Sequence, residues 1–166
     1  FQEYIVVNAS AASPFHIPAK YRNYQLDVTG HAAGSLGIIK KFNSTDGSLP
    51  ASIAVKQFTL PFQTKPRASL VLRELNLLKS MKPPNEHPNI VQLIEMYTVE
   101  RDENQLQTIY HITEHCGTPL SIMIKNAGYT MESVKKWMRE LLSALKHLNS
   151  MGISHRNLHP DNMCIN

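Results

Sequence analysis

A long amphipathic segment near the end of the chain constrains the fold more than any other feature. Thr130 can cap a helix, Glu132 follows in the first turn, and Gly152 is a residue at which helices end. The apolar residues between these signals recur at intervals of three and four, at Val134, Trp137, Met138, Leu141, Leu145 and Leu148. The sequence therefore predicts a helix over residues 130–151.

The part of the chain before this helix is mostly typical of strands. Glycines and a polar turn cluster at 43–48 interrupt residues 21–62, and prolines bound a run at 52–58. Residues 67–82 have a helical apolar period and end at a pair of prolines. Residues 90–99 and 107–113 favour strands, whereas residues 1–20 are interpreted as an irregular lead-in. The order predicts an α+β fold.

Composition excludes several function classes. The chain has 166 residues, of which 42% are hydrophobic, so one domain with a sizeable core is expected. Its net charge of +4 is spread without a basic block, which argues against nucleic acid as a partner. The longest early apolar run, residues 5–7, is too short for a membrane span, and two cysteines suggest a reducing compartment. We expect a cytoplasmic or nuclear location, without membrane binding.

Glu74 is the first candidate for chemistry. It shares the predicted apolar helix face with Leu70, Leu77 and Leu78, where a carboxylate is costly unless a cation meets it. Lys56 lies in a short apolar strand and is a candidate partner. The alternative is that both are tolerated charges at the edge of the fold.

Two further segments are weak functional signals alone and become informative only together with Lys56 and Glu74. The glycines of residues 28–39 suit either a hairpin turn or the close approach of backbone amides to phosphates. Residues 155–162 place imidazoles, amides and one carboxylate in a loop after the long helix. A zinc site at His155, His159 and Cys164 is disfavoured because its spacing is unconvincing and no second ligand pair accompanies it.

Taken together, these residues resemble the protein kinase family. The segment 53–56 resembles the V-A-I-K strand, Arg73-Glu74 resembles the helix that pairs with it, and residues 87–91 resemble the entry to the next strand. Residues 155–162 resemble the catalytic loop H-R-D-L-K-P-x-N. Residues 15–23, 60–63, 73–75 and 146–150 resemble segments of the mitogen-activated protein kinases. Residues 110–113 resemble the gatekeeper strand of the stress-activated members of that group.

The resemblance implies the fold and a site for ATP and Mg²⁺. It implies an N-terminal lobe of antiparallel sheet plus one helix, followed by the first helices of an incomplete C-terminal lobe. Lys56 would hold the α- and β-phosphates and Glu74 would hold Lys56, while Asn162 would bind magnesium. The remaining cofactor contacts that it implies are Val28, Ala32, Gly34, Gly37, Ala54, Thr113, Glu114 and Cys116.

The sequence departs from the family at the catalytic loop. Asn157 occupies the position of the catalytic aspartate, and an amide cannot accept the substrate proton. His159 occupies the position of the loop lysine and supplies no fixed positive charge.

The glycine loop also departs, and it fits in two registers. In the first, Ala32, Gly34, Gly37 and Ile39 stand for G-x-G-x-x-G-x-V, whereas in the second the motif runs from Val28 to Leu36. Of the three motif glycines in the second register, only Gly34 is kept.

These departures lead to two main hypotheses. The first is a catalytically impaired kinase homologue that binds signalling proteins of a MAP kinase cascade. The second is a fragment of an active Ser/Thr kinase, because the chain ends before any D-F-G or T-x-Y motif; a truncated product without independent function is a third.

The expected organisation is an extension at 1–20, a kinase-like N-lobe at 21–116, and a hinge with a partial C-lobe at 117–166. We also expect an exposed apolar surface on the long helix, including Leu142 and Met151, because later kinase elements would cover it.

Overall fold

The chain forms two units, each with its own internal contacts. The computed structural model describes residues 3–7, 14–34, 36–100 and 107–165. The first unit comprises Phe1–Lys82 and Gln92–His115, and the second comprises Pro83–Val91 and Cys116–Asn166.

A five-stranded antiparallel sheet is the frame of the first unit. Its spatial order is β3-β4-β5-β7-β6, so β7 lies between β5 and β6. The strand predicted over 90–99 is shorter than expected, because only its middle pairs with β7. The strands are β3 (Tyr24–Gly34), β4 (Gly37–Ser44), β5 (Ser52–Thr59), β6 (Leu93–Tyr97) and β7 (Thr108–Glu114).

The prediction that residues 1–20 are irregular is wrong for residues 4–7 and 15–18, while residues 1, 2 and 8–13 lie outside the described residues. Strands β1 (Tyr4–Val7) and β2 (Phe15–Pro18) pair antiparallel. Phe15 and Ile17 are 1% and 2% exposed and join the core of the five-stranded sheet. Phe15 and Ile17 lie two residues apart with His16 between them, which is the alternation expected of a strand. The neighbouring Pro14 and Pro18 obscured this pattern in the sequence.

Helix α1 (Lys65–Ser80) lies close to the predicted span of 67–82. It begins after Thr64, whose side chain accepts a hydrogen bond from the Arg67 amide, as an N-cap residue does. The predicted apolar face is wrong at Leu70, which is 51% exposed, whereas Leu77 and Leu78 are half-buried. The buried residues of the helix are Val71 and Leu75, which pack against Phe58. The packing against β5 therefore selects a neighbouring stripe of the helix.

The second unit is built on helix α3 (Met131–Ser150), as the sequence predicts. Thr130 caps it by accepting from the Ser133 amide, and Gly152 follows its end with a φ of +70°, a conformation that favours glycine. The unit also contains β8 (Thr118–Pro119), helix α2 (Leu120–Lys125) and β9 (Cys164–Ile165), with β8 and β9 antiparallel.

The segment 83–91 is tied to α3 by two histidines. His87 Nε2 lies 3.0 Å from Ser143 Oγ, and His147 Nε2 lies 2.9 Å from the Asn85 carbonyl oxygen. These contacts explain why the segment belongs to the second unit.

Much of α3 is open to solvent. Only Ala144 and Leu148 of this helix are buried, whereas Leu142 is 58% exposed and Met151, just after it, is half-buried. The expected exposed apolar surface is therefore confirmed at Leu142 and only partly at Met151. Among the described residues, no helix combines the length and the apolar character needed to cross a membrane.

Candidate functional site

Strand β5 places Lys56 on the face opposite the core of the sheet. Side chains alternate along a strand, and Ile53 and Val55 are fully buried in that core. Ala54 and Lys56 consequently share the other face, toward α1. The Lys56 side chain is 15% exposed, and its ammonium lies 4.6 Å from the centre of the Phe58 ring.

Helix α1 brings Glu74 to this lysine. Lys56 Nζ donates to both carboxylate oxygens of Glu74, at 2.6 and 2.7 Å, so the pair is formed and the hypothesis of two unrelated edge charges is wrong. The Glu74 side chain is 30% exposed. A half-buried carboxylate is accommodated there because the ammonium compensates for the water that it loses.

A histidine that the sequence reasoning missed is the third member of the cluster. His111 of β7 is the cross-strand partner of Lys56, and its Nε2 lies 3.2 Å from Glu74 Oε1. It is 6% exposed, and its ring centre lies 5.5 Å from that of Phe58. The signal for it was the alternation of β7, in which position 111 shares the face of Thr113.

The electrostatics of Glu74 reflect this double attachment. Burial acts to raise the pKa of Glu74, but the hydrogen bond with His111 and the charge and hydrogen bonds of Lys56 outweigh it. The pKa of Glu74 is therefore lowered below its ordinary value, and the carboxylate stays ionised at neutral pH.

The other candidate nucleotide contacts of the first unit lie beside this cluster. Ala54 and Thr113 are cross-strand partners, one pair along from Lys56 and His111. Thr113 is 6% exposed. Glu114 ends β7 and its Oε1 accepts from the Gln92 amide at 3.1 Å. Cys116 belongs to the second unit and is half-buried.

The hairpin of β3 and β4 favours one register of the glycine segment. Gly34 pairs with Gly37, and Ala32 pairs with Ile39, so the chain turns between the two glycines. In the first register, the two residues between the second and third motif glycines fall at that turn. In the second register, the corresponding residues are Ala32 and Ala33, which instead pair with β4. Val28 lies far from the turn and is 77% exposed.

Gly37 has a structural role that is independent of any phosphate. A Cβ built at this position would lie 1.9 Å from the Gln57 carbonyl oxygen, so only glycine lets β4 approach β5 this closely. A Cβ at Gly34 would meet nothing within 4 Å. The close approach of β4 to β5 therefore requires glycine at position 37, whereas a side chain at position 34 would meet no neighbouring atom.

Arg67 fastens this hairpin to the helix and was also missed from the sequence. Its Nη2 donates to the Leu36 carbonyl at 3.1 Å and to the Thr59 carbonyl at 2.8 Å, and its Nε donates to the Leu60 carbonyl at 3.1 Å. A single guanidinium thus links the turn after Gly34, the end of β5 and the start of α1.

In the second unit, the loop at residues 155–162 is held together by its own polar groups. Asn162 Nδ2 donates to the Asn157 carbonyl at 3.0 Å and to His159 Nε2 at 2.9 Å. An amide nitrogen only donates, so His159 Nε2 is the acceptor of this hydrogen bond. His159 Nδ1 lies 3.5 Å from Asp161 Oδ2. Asn157 is exposed.

The two implied cofactor groups fit these residues unequally. A lysine ammonium held by a carboxylate is the arrangement with which kinases contact the phosphates of ATP, and Lys56 with Glu74 fits it. Mg²⁺ prefers carboxylate oxygens together with phosphates, whereas the loop offers the neutral amide oxygen of Asn162 and the exposed carboxylate of Asp161. Across the described ranges, no three His, Cys, Asp or Glu side chains cluster to hold a metal. The loop alone does not form a magnesium site.

Comparison with known proteins agrees with this geometry. The family model for the protein kinase domain matches residues 33–166. Mitogen-activated protein kinase 14 of Xenopus laevis is 30% identical over 152 residues, which cover 92% of this chain and 39% of that protein. Two Caenorhabditis elegans relatives, the mitogen-activated protein kinases pmk-2 and pmk-1, are 32% identical over 69% of the chain and 28% identical over 87% of it. These alignments cover 26% and 37% of the two proteins, so the chain spans well under half the length of the curated relatives it matches.

Proposed function

The chain belongs to the protein kinase family, and from that premise we propose that it acts in signalling by binding proteins of a MAP kinase cascade while being impaired in phosphoryl transfer. The observation that carries this proposal is the contrast between an intact Lys56–Glu74 pair and Asn157 in the place of the catalytic aspartate. A cytoplasmic or nuclear location is part of the proposal.

Asn157 removes the group that takes the proton of the substrate hydroxyl. A carboxylate both accepts this proton and orients the hydroxyl by its charge, whereas an amide does neither at neutral pH. Loss of a general base costs about 10²–10⁴ in rate. This change alone makes catalysis slow, even if the nucleotide is held correctly.

His159 removes a second contribution. The position is that of a lysine whose charge would stabilise the transferred phosphoryl group. His159 instead accepts a hydrogen bond from Asn162 and does not supply the fixed charge of a lysine. Asn157 and His159 therefore occupy the two positions that carry a carboxylate and an ammonium in the kinase motif, and neither residue supplies that fixed charge.

The nucleotide pocket is proposed as vestigial. ATP, when bound to a kinase, supplies the γ-phosphoryl group for transfer. In this chain Lys56 would bind phosphate oxygens, Glu74 would orient the Lys56 ammonium, and Ala54 and Thr113 would contact the base. The closeness of Lys56 to Glu74 supports binding, and the loss of the first motif glycine at Ala32 weakens it.

A second candidate function is that of an active Ser/Thr kinase of which this chain is a part. The formed Lys56–Glu74 pair and the presence of Asn162 favour it. The residues that bind its substrates and complete its active site would then correspond to parts of the relatives outside the aligned residues.

Nucleotide binding is tested by the thermal shift of the chain with ATP, with and without Mg²⁺. We expect a shift that Lys56→Met abolishes and that Lys79→Met, a change of an exposed lysine on α1, preserves. The absence of a shift in the wild type contradicts the pocket but leaves the binding of cascade proteins to be tested by co-precipitation with them.

The two candidate functions are separated by Asn157→Asp in the full-length protein. Under the first, the wild type transfers no measurable labelled phosphate from ATP to a MAP kinase substrate, and the substitution does not restore transfer because His159 and the glycine segment are also changed. Under the second, the same substitution raises the rate about 10²–10⁴-fold.

A further inference from the structure

His111 is a buried histidine whose role the proposed function leaves unexplained. It lies in the middle of β7, faces α1, and has Lys56, Phe58 and Glu74 around its ring. On its other flank, its cross-strand partner in β6 is Met96, so Lys56 and Glu74 are the charged groups that face it. A polar ring in this apolar position requires a reason.

The hydrogen bonds of the ring identify its tautomer. The Glu74 carboxylate is ionised and can only accept, so His111 Nε2 carries the hydrogen that joins them at 3.2 Å. His111 Nδ1 is buried and has no hydrogen-bond partner among the described residues. A second hydrogen on Nδ1 would be a buried donor without an acceptor, so the hydrogen that serves this site is the one on Nε2.

Glu74 is consequently attached to the sheet at two points. Lys56 holds both of its oxygens from β5, and His111 holds Oε1 from β7. Because β5 and β7 are adjacent strands, both attachments hold the same turn of α1 against the same sheet. Val71 and Leu75 supply the apolar contact on either side of this turn.

We propose that His111 is a positioning residue which keeps Glu74, and with it α1, docked on the sheet even when Lys56 is absent or engaged elsewhere. Lys56 is then able to release one oxygen of Glu74 and donate to a bound anion instead, while α1 keeps its position. The proposal concerns the first unit alone and does not depend on the proposed function.

The first experiment needs no substitution. Long-range ¹H–¹⁵N NMR spectra of the 166-residue chain distinguish the two neutral tautomers and the charged ring of histidine. We expect His111 to carry a hydrogen on Nε2 near pH 7. A ring protonated at Nδ1 alone could not donate to Glu74 and overturns the proposal.

The second experiment measures the docking of α1 by hydrogen exchange in a set of four proteins. The set comprises the wild type, Lys56→Met, His111→Leu and the double variant. We expect α1 amides around Glu74 to stay protected in Lys56→Met and to exchange at least about tenfold faster in the double variant, because its last charge-assisted hydrogen bond is lost. No additional exchange from His111→Leu in the Lys56→Met background overturns the proposal.

Two further variants separate positioning from packing. His111→Gln keeps a donor near Glu74 and should restore most of the α1 protection, along with the lowered pKa of Glu74 measured by carboxyl ¹³C NMR. Ile112→Val removes one methyl group from the other face of the same strand and should leave the Glu74 pKa unchanged. If His111→Leu does not fold, the wild-type tautomer and the His111→Gln result decide the question.

Discussion

The two units keep different parts of a kinase-like chemistry. In the first unit, the Lys56–Glu74 ion pair and the His111 ring form a cluster that is mostly buried. In the second, Asn157, His159 and Asn162 lie in a hydrogen-bonded loop that is largely open to solvent. We expect the buried pair to contribute more to the stability of its unit than the hydrogen bonds of the exposed loop contribute to theirs, because removing one partner of a buried pair leaves an uncompensated charge.

The largest effect is expected at Gly37. Gly37→Ala would place a methyl group against the Gln57 carbonyl and separate β4 from β5, which we expect to cost about 3 kcal/mol of unfolding free energy. Gly34→Ala is the matched control on the other side of the turn and should change stability by less than about 1 kcal/mol. Urea unfolding of both variants measures this, and equal losses would contradict the strand contact.

The next effect concerns the charge cluster itself. Glu74→Ala leaves the Lys56 ammonium without its carboxylate and should destabilise the first unit by about 2 kcal/mol, less than for a fully buried pair because both side chains keep some exposure. Hydrogen exchange of the β5 amides reports this unit separately. Glu140→Ala, at a surface pair with Lys136, should change little.

The pH dependence of the first unit follows from the lowered pKa of Glu74. The unfolded chain binds a proton at this carboxylate more readily, so its contribution to stability is present above the ordinary value of 4.5 and is lost as the pH falls through the lower folded pKa. Glu74→Gln should therefore be less stable than the wild type at about pH 7, and the difference should shrink toward about pH 3. A difference that stays constant over this range would contradict the assigned linkage.

The smallest effect is expected in the second unit. His159→Ala removes the acceptor of one exposed hydrogen bond from Asn162 and should change the unfolding free energy by less than about 0.5 kcal/mol. Thermal unfolding measures it. A loss comparable with that of Glu74→Ala would show that the loop is structurally as important as the charge cluster and would remove the contrast between the units.

Local signals in the sequence predict where a helix begins and ends better than they predict which of its faces is buried. Thr130 and Gly152 are capping residues, so the bounds of α3 follow from their local chemistry. The buried face of α1 is determined by its contact with Phe58, which comes from a strand, and the apolar period alone selected Leu70 in place of Val71. The pairing of β1 with β2 was likewise hidden, because Pro14 and Pro18 mark irregular chain in most sequences.

The sequence by itself determined which chemical groups this protein has: a lysine and a glutamate in the positions of a kinase pair, and an asparagine in the position that aspartate occupies in the kinase motif. These are properties of single residues and their order, which no packing can alter. Only the tertiary structure decided that His111 joins the pair and that the turn falls between Gly34 and Gly37. Both depend on strand register, which is set by contacts between residues far apart in the chain.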